Sequence, residues 1–244
     1  MTFHIIIPAR YNSKRLPGKL LMDLHGKTVL ERVYLQAMQT KAMSITIATD
    51  HELIVQVAES FGAPVILTDA CHLSGTERLA EAVSLMQLPV TDCVVNVQGD
   101  EPFIAPQLIN QVAENLLHTT APMATLCWPI IDAAMACDPN IVKVVRDIHN
   151  YALYFSRSII PFQREQHEHT LMRHIGIYAY KVAFLQEMMA WEPCVLEAVE
   201  SLEQLRVLWM GYRIHVAQAV VAPLQDINTL EDLEQARDLC LACA

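Results

Sequence analysis

Short, unbroken apolar runs alternate with helix-length amphipathic stretches, and this alternation constrains the fold more than any other feature of the sequence. The first half has four runs rich in valine or isoleucine: Phe3 to Pro8, Ser44 to Thr49, Pro64 to Leu67 and Asp92 to Gln98. The stretches that follow them have helical spacing: Val29 to Gln39, Glu52 to Phe61, Thr76 to Met86 and Pro106 to Leu117. Strands buried on both faces give continuous apolar runs of this kind. The pattern predicts an α/β fold, a doubly wound, mostly parallel sheet with right-handed crossovers.

The pattern changes in the second half, where the apolar runs are interspersed with prolines. These runs are Ala124 to Ile130, Ile141 to Val145, Tyr151 to Phe155 and Ile175 to Tyr180. They predict antiparallel strands that form a smaller excursion on the main sheet, over about residues 122–210. Thr229 and Asp232 have capping-box spacing, which predicts a final helix that packs back on the sheet. Because the chain has no internal repeat and no glycine/serine linker, we expect one domain over residues 1–244.

Composition excludes several classes of function. The chain has 17 lysines and arginines against 27 acidic residues, a net charge of −10, which disfavours a general nucleic-acid or membrane-surface binder. We expect neither a membrane span nor a signal peptide, because no run of about 18 apolar residues is present and the start has no basic leader. The seven cysteines show no C-x-x-C pair and lie mostly in apolar stretches, which indicates reduced thiols in the cytoplasm.

A basic loop follows the first predicted strand, where ligands bind in sheets of this kind. It carries four cations: Arg10, Lys14, Arg15 and Lys19. In an acidic protein such a local excess is costly unless an anion occupies it, and Gly18 lets the backbone approach a phosphate closely. The loop therefore indicates a triphosphate site, and the alternative is a solvated basic loop. The glycine fingerprints of dinucleotide folds and P-loops are both absent.

An acidic turn follows the Asp92 strand, where Asp100 and Glu101 come directly after Gly99. A carboxylate at the end of this strand is well placed to hold Mg²⁺, which commonly bridges one or two carboxylates to substrate phosphates. The alternative is an ordinary Gly-Asp turn before the helix that Pro106 begins. The spacing alone leaves both interpretations open.

A third segment, His72 to Leu79, contains Ser74 and Glu77 at capping-box spacing. It therefore predicts the start of a helix. A helix N-terminus also presents free N–H groups to an anion or a ribose hydroxyl, so the structural and the binding interpretations are compatible.

Polar groups are dispersed through the second half: Arg157, Arg173, His174 and Arg206. A single histidine on an apolar strand, such as His174, is more often a hydrogen-bonded core residue than a catalyst. His167 and His169 lie in a polar loop, for which we expect a solvated role. No Ser-His-Asp or Cys-His grouping is evident from the spacing.

At these motifs the sequence resembles the 3-deoxy-manno-octulosonate cytidylyltransferases, also called CMP-KDO synthetases. The matching segments run nearly from end to end: Ile-Pro-Ala-Arg-Tyr-x-Ser-x-Arg-Leu-Pro-Gly-Lys (7–19), Ala-Thr-Asp-His (48–51), Ser-Gly-Thr-Glu-Arg (74–78), Asn-Val-Gln-Gly-Asp-Glu-Pro (96–102), Tyr-Ala-Leu-Tyr-Phe-Ser-Arg (151–157), Arg-His-x-Gly-Ile-Tyr-x-Tyr (173–180) and Leu-Glu-Gln-Leu-Arg (202–206). The related CMP-sialate synthetases share the first loop but lack the Arg-His-x-Gly-Ile-Tyr and Glu-Gln-Leu-Arg segments.

The resemblance implies a nucleotide-diphospho-sugar transferase-like fold and transfer of CMP from CTP to KDO, with release of pyrophosphate. It further implies Mg²⁺ dependence, a homodimer, and a cytoplasmic role in supplying KDO for lipopolysaccharide. The excursion around residues 122–210 would then carry the sugar site and the dimer contacts.

The resemblance also implies roles for individual residues. Arg10, Arg15 and Lys19 would hold the triphosphate, and Ser74, Gly75, Thr76 and Arg78 would meet the cytidine. The reacting centre would contain Lys19, Gln98 and Asp100, the last as a metal ligand. The sugar pocket would be formed by Gln98, Arg157, His174, Tyr178, Glu203 and Gln204.

One departure from the family affects the expected metal site. The family's closing motif is usually Val-Asp-Thr-x-Glu-Asp-Leu, and its first aspartate is associated with the metal. Here the motif runs from Ile227 to Leu233 and has the neutral Asn228 at that position. Asp226 is a possible substitute ligand, or only a turn residue.

Two functions of other classes stay open at this point. One is a nucleotide-sensing module without catalysis, which Asn228 would suit. The other is an NAD-dependent oxidoreductase on the same kind of sheet, which the absent glycine fingerprint disfavours.

Overall fold

A central sheet with helices on both faces forms the framework of the protein. The computed structural model describes residues 2–13, 15–72, 74–165, 169–224 and 226–242, and the sheet has nine strands within those ranges. Successive side chains of the first strand pack on opposite faces of the sheet: Ile5 and Ile7 lie in one cluster of buried residues, and Ile6 lies in another. Since successive side chains of a strand point to opposite faces, the two clusters are the two helix-covered layers of a doubly wound fold.

The first half has the predicted β-α repeats. The strands are β1 (Phe3–Ala9), β2 (Ser44–Thr49), β3 (Val65–Leu67) and β4 (Cys93–Asn96), and the helices are α1 (Val29–Ala37), α2 (Glu52–Ser60), α3 (Gly75–Leu85) and α4 (Pro106–Leu117). Strand β1 pairs in parallel with β2 and β4, and β2 pairs in parallel with β3. The predicted mostly parallel sheet is confirmed, with each boundary within two residues of its expected place.

The second half both extends the sheet and adds the excursion. Its strands are β5 (Met123–Pro129), β6 (Lys143–Arg146), β7 (Ala152–Ser156), β8 (Met172–Lys181) and β9 (Ile214–Gln218). The sheet order is β3-β2-β1-β4-β8-β5-β9, with β8 antiparallel to β4 and β5. Only β6 and β7 form an antiparallel hairpin beside this path. Two of the four strands predicted for the excursion, β5 and β8, therefore lie in the main sheet. Strand β9 was not predicted from the sequence.

The second-half helices are α5 (Ala133–Cys137), α6 (Val182–Met188), α7 (Val195–Glu200), α8 (Gln204–Trp209) and α9 (Leu230–Ala242). Both predicted caps form: Ser74 Oγ accepts the Glu77 N–H at 3.1 Å, and Thr229 Oγ1 accepts the Asp232 N–H at 3.2 Å. Helix α9 packs on the sheet through Leu233. None of the helices in the described ranges is long and apolar enough to cross a membrane.

Candidate active site

A cleft lies at the carboxyl ends of β1 and β4, and it has three connected compartments that share Gln98. The loop compartment, about 350 Å³, lies between the basic loop and Asp100 and includes Ser74 and Gly75. The tyrosine compartment, about 290 Å³, is lined by Thr76, Tyr178 and Tyr180, among others. The Arg173 compartment, about 440 Å³, is lined by Arg173, His174 and Asp226, among others. Gln98 and Asp100 line both the loop and the Arg173 compartments, so those two meet at the end of β4.

Two glycines bring the basic loop against the end of β4. Gly18 has a φ of +69°, a left-handed conformation that glycine adopts without strain, and its N–H donates to the Tyr11 carbonyl at 3.1 Å. At Gly99, a Cβ would lie 3.0 Å from the carbonyl oxygen of Pro8. Any larger residue there would push the ends of β1 and β4 apart, and this close approach places Lys19 beside Asp100.

Lys19 is buried and donates three hydrogen bonds. Its Nζ lies 2.5 Å from Asp100 Oδ2, 2.9 Å from the Ile227 carbonyl oxygen and 3.2 Å from Asn228 Oδ1. The ammonium therefore joins the end of β4 to the C-terminal segment that precedes α9. The ion pair engages one carboxylate oxygen of Asp100, and that residue lines the cleft.

Asn228 connects the basic loop to Asp226. Its Oδ1 accepts a hydrogen bond from Arg15 Nη2 at 2.6 Å as well as the one from Lys19, and its Nδ2 donates to Asp226 Oδ2. An aspartate at position 228 has no N–H to give to Asp226. The amide therefore serves two cations and one carboxylate at once, while Asp226 lines the Arg173 compartment.

Glu101 is the second carboxyl group of the acidic turn and lines the Arg173 compartment. Burial raises the pKa of Glu101 to about 8, and the negative charges of Asp100 and Asp226 contribute to the increase. At neutral pH this side chain is therefore mostly protonated, so the fixed negative charge of the turn lies on Asp100.

The residues predicted to hold the nucleotide do not all line the cleft. Arg10, Lys19, Ser74 and Gly75 line the loop compartment, and Thr76 lines the tyrosine compartment. Arg15 lines no compartment described above; it is exposed and bonded to Asn228. Lys14 lies outside the described residues.

Arg78, which the resemblance places near the cytidine, lies beside the segments that follow β2 and β3. Its side chain is fully buried and donates to Thr68 Oγ1 at 2.5 Å and to Asp50 Oδ2 at 2.7 Å. In this position it ties together the segments after β2 and β3 and lines none of the three compartments.

Four of the residues predicted for the sugar pocket line the Arg173 compartment: Gln98, His174, Tyr178 and Gln204. Glu203 lines the loop and tyrosine compartments instead. Arg157 lines none of the three, because its guanidinium donates to the backbone carbonyls of Glu200 at 2.7 Å, Pro139 at 2.9 Å and Ser201 at 3.3 Å. Arg157 thus braces the segment that leads to Glu203.

His174 is both a hydrogen-bonded interior residue and a wall of the Arg173 compartment. Its Nε2 lies 3.1 Å from Thr125 Oγ1, and that hydroxyl donates to the Ile177 carbonyl at 2.7 Å. Because the hydroxyl proton is engaged there, Nε2 carries the imidazole proton and donates it to Oγ1. Burial lowers the pKa of His174 to about 3, so the ring is neutral at physiological pH.

The structure adds functional candidates to those predicted from the sequence. Arg173 lines the largest compartment, and residues 140–142 form another part of its wall. Arg173 stands within a matching motif, so a signal was present. Residues 140–142 reach the cleft only through the pairing of β6 with β7 and β8, and local sequence does not reveal that pairing.

A separate polar cluster forms at the opposite edge of the sheet, at the start of β1, β2 and β4. His4 Nδ1 lies 2.8 Å from Ser44 Oγ, and its Nε2 lies 3.1 Å from Asp92 Oδ2. The three residues are far apart in sequence, which is why their spacing did not reveal the grouping. They are remote from the cleft and join the strand ends.

Comparison with known proteins shows what the chain is similar to. A family model described as cytidylyltransferase matches residues 4–214. The chain is 55% identical over 241 residues to the 3-deoxy-manno-octulosonate cytidylyltransferase of Legionella pneumophila (strain Lens), with 98% of this chain and 96% of that protein covered. It is 51% identical over 244 residues to the protein of the same name from Vibrio cholerae serotype O1 (strain M66-2), with 97% of each covered.

Solved structures give the same result. The structure of CMP:2-keto-3-deoxy-manno-octonic acid synthetase complexed with CTP superposes with a TM-score of 0.95 at 38% identity and covers 100% of both chains. A 4-diphosphocytidyl-2C-methyl-D-erythritol synthase superposes with a TM-score of 0.67 at 14% identity and covers 98% of both chains, which shows a shared fold.

Proposed function

The chain belongs to the 3-deoxy-manno-octulosonate cytidylyltransferases, and from that membership we propose how its cleft transfers CMP from CTP to KDO with release of pyrophosphate. The observation that carries the proposal is the position of the Lys19–Asp100 pair. It lies where the loop compartment and the Arg173 compartment meet, so a phosphate in one compartment and a sugar hydroxyl in the other reach the same point.

We propose that the loop compartment holds CTP. Arg10 and Lys19 supply positive charge to the triphosphate, and Arg15 lies next to Lys19 through their common partner Asn228. Ser74 and Gly75 stand at the N-terminus of α3, where backbone N–H groups favour an anion or a ribose hydroxyl. Charge-assisted bonds of this kind suit a triphosphate, and they explain how an acidic protein binds an anionic nucleotide.

We propose that Mg²⁺ binds at Asp100 together with the phosphates of CTP. The donor set fits: Asp100 is a carboxylate at a strand end, Lys19 engages one of its oxygens, and Asp226 offers a second carboxylate on the same cleft. Within the described residues no three histidine, cysteine or acidic side chains cluster as ligands, which suits an ion that keeps waters and binds substrate phosphates. When bound, the ion supplies Lewis-acid stabilisation of the charge on the phosphate.

The reaction needs no nucleophilic side chain. The anomeric hydroxyl of KDO, held in the Arg173 compartment, attacks the α-phosphorus in line. The hydroxyl proton passes to water, and the new phosphorus–oxygen bond forms as the bond to the departing pyrophosphate breaks. Gln98, whose Nε2 donates to the Gly176 carbonyl at 3.4 Å, stands between the two substrates, and the Lys19 ammonium faces the charge that develops. Positioning and electrostatic stabilisation supply the rate enhancement.

We also propose that the chain is one domain that acts as a cytoplasmic homodimer and supplies CMP-KDO for lipopolysaccharide synthesis. Support for the dimer comes from large apolar side chains exposed around the β6–β7 hairpin, which a partner would cover: Ile148 (90% exposed), Leu153 (59%) and Phe162 (86%). The second-half excursion would then provide both the sugar-side wall of the cleft and the dimer face.

A pyrophosphate-release assay across CTP, UTP and ATP, each with KDO and with sialate, tests the function. We expect turnover that requires CTP and KDO and that stops when Mg²⁺ is chelated. No pyrophosphate from CTP plus KDO would instead support a nucleotide-sensing protein. Light scattering on the same sample tests the dimer, which a monomer mass at micromolar concentration would contradict.

A further inference from the structure

KDO carries its carboxylate directly on the anomeric carbon, so a cation that pairs with this carboxylate would lie close to the attacking hydroxyl. The resemblance places Arg157 in the sugar pocket. In this structure three of its nitrogens donate to backbone carbonyls, and it lines none of the three compartments. Moving it to a substrate would leave those carbonyls without their donor, which costs free energy in a partly buried setting.

Arg173 has the properties that Arg157 lacks. Among the described residues that line its compartment, Arg173 carries the only fixed positive charge, since His174 is neutral. Its Nε is buried and has no hydrogen-bond partner within the described part of the chain. Its Nη2 donates one long bond, 3.3 Å, to the Pro223 carbonyl. A guanidinium has five N–H donors in a planar fork that matches a carboxylate, so this group has capacity for an anion.

Within the described residues no carboxylate is hydrogen-bonded to Arg173, although the charges of Asp226 and Glu101 act on it. Glu101 and Asp226 line the same compartment, yet neither forms a salt bridge with Arg173 within the described residues, and Asp226 is bonded to the Asn228 amide. Arg173 is also rigidly placed: it lies on β8, opposite Trp128 of β5 and Lys143 of β6. A cation fixed on two strand pairings is preorganised for a ligand.

We propose that Arg173 binds the carboxylate of the sugar acid and thereby selects an acidic substrate and orients its anomeric hydroxyl toward Asp100. This inference rests on the proposed function. It is compatible with the position of the compartment, which reaches the reacting centre at Gln98 and Asp100. It assigns to Arg173 the contact that Arg157 would otherwise make, and leaves Arg157 as a brace of residues 200–201.

The test compares KDO with its methyl ester, which is neutral at the carboxyl group, in wild type, Arg173→Gln and the matched variant Arg157→Gln. We expect wild type to prefer KDO over the ester by roughly 10- to 100-fold in kcat/KM, the range of one charge-assisted contact. Arg173→Gln should raise the KM for KDO by a similar factor, leave the KM for CTP unchanged, and turn over the two substrates about equally. Arg157→Gln should keep the preference while lowering the melting temperature.

A retained preference in Arg173→Gln, or a lost preference in Arg157→Gln, would overturn the inference. If Arg173→Gln does not fold, the preference for KDO over its methyl ester is measured in Arg173→Lys instead. The shorter, non-planar cation should reduce the preference without abolishing it, and a preference equal to that of wild type would contradict the assignment. Wild-type protein that does not turn over KDO at all would overturn the proposed function itself, so the two failures are distinguishable.

Discussion

The two walls of the cleft use cations in opposite ways. The loop wall consists of residues 10–19, 98–100 and 226–228, and its buried cation Lys19 bonds to the carboxylate of Asp100. The brace wall consists of residues 138–143 and 200–204, together with Arg157, which supports them without lining a compartment. Its buried cation Lys143 bonds to the backbone carbonyls of Asp138 (3.0 Å), Ile141 (2.6 Å) and Arg157 (2.5 Å). A carboxylate on a cleft can share its cation with a phosphate, whereas a buried carbonyl cannot release its donor without becoming unsatisfied. For this pair of lysines, the carboxylate partner that lines the cleft marks Lys19 as the ligand-binding cation, and the three carbonyl partners mark Lys143 as the structural one.

The largest effect should come from Asp100→Asn, which removes the carboxylate of the loop wall. We expect normal folding but a rate reduced by roughly two to three orders of magnitude, since one transition-state contact at such a site is worth about 3 to 4 kcal/mol. Steady-state pyrophosphate release at saturating CTP and KDO measures it. The control is Asp238→Asn, an exposed carboxylate on α9. Near-wild-type turnover of Asp100→Asn at saturating Mg²⁺ would contradict the proposal that the Asp100 carboxylate takes part in the reaction.

Lys143→Met is the matching test of the brace wall, because Lys143 is fully buried and its ammonium serves three carbonyls. Methionine fills a similar volume but donates nothing. We expect the free energy of unfolding to fall by about 3 kcal/mol, measured by urea titration. The folded fraction should keep its KM for CTP.

Lys181→Met, a change of the same kind on β8, controls for loss of a lysine. If Lys143→Met were as stable as wild type but had a raised KM for CTP, Lys143 would be a ligand-binding cation and its structural role would be contradicted.

The difference between the walls also explains what the sequence could predict. Two of the three segments of the loop wall directly follow β1 and β4, so strand pattern and motif together located Lys19 and Asp100. The brace wall depends on backbone carbonyls as acceptors, and every residue type offers those. No side-chain pattern predicts that Arg157 donates hydrogen bonds to the backbone carbonyls of residues 139, 200 and 201.

The fold shows the same limit. Strands β1 to β4 alternate with helices in chain order, so local periodicity sufficed to predict them. Strand β8 inserts antiparallel between β4 and β5, with Asn96 opposite Tyr178 and Cys127 opposite His174. Such pairings join residues about 50 to 80 positions apart, which periodicity does not record. Strand β9 is a short apolar segment whose place is set by its pairing with β5 and by contacts with Arg146 and residues 150–151, all distant in sequence.

The neutral His174, which lines the Arg173 compartment, allows a test by the pH dependence of stability. Its pKa is about 3 in the folded protein, against about 6.5 for an unfolded histidine. Between these values the unfolded chain binds more protons, so stability falls as pH falls from about 6.5 toward 3. We expect His174→Gln to lose about 2.5 kcal/mol less than wild type between pH 7 and pH 4.5 in urea titrations. The control is His149→Gln, at an exposed histidine; an equal loss in His174→Gln and wild type would mean that the ring is solvated.

The smallest expected effect concerns Asn228, the position at which the resemblance leads us to expect an aspartate. Its amide donates to Asp226 and accepts from Arg15 and Lys19, so Asn228→Asp would keep both cations but set two carboxylates against each other. If Asp226 now supplies the second carboxylate for Mg²⁺, Asp226→Asn should raise the Mg²⁺ concentration for half-maximal activity by about fivefold, the loss of one hard ligand. Asn228→Asp should change it less than about twofold, because the added charge is offset by repulsion of Asp226. Magnesium titrations of the two variants beside wild type measure both values. A lower Mg²⁺ requirement in Asn228→Asp would show that position 228 itself is the ligand position, and no shift in either variant would confine the C-terminal segment to holding Arg15 and Lys19 and capping α9.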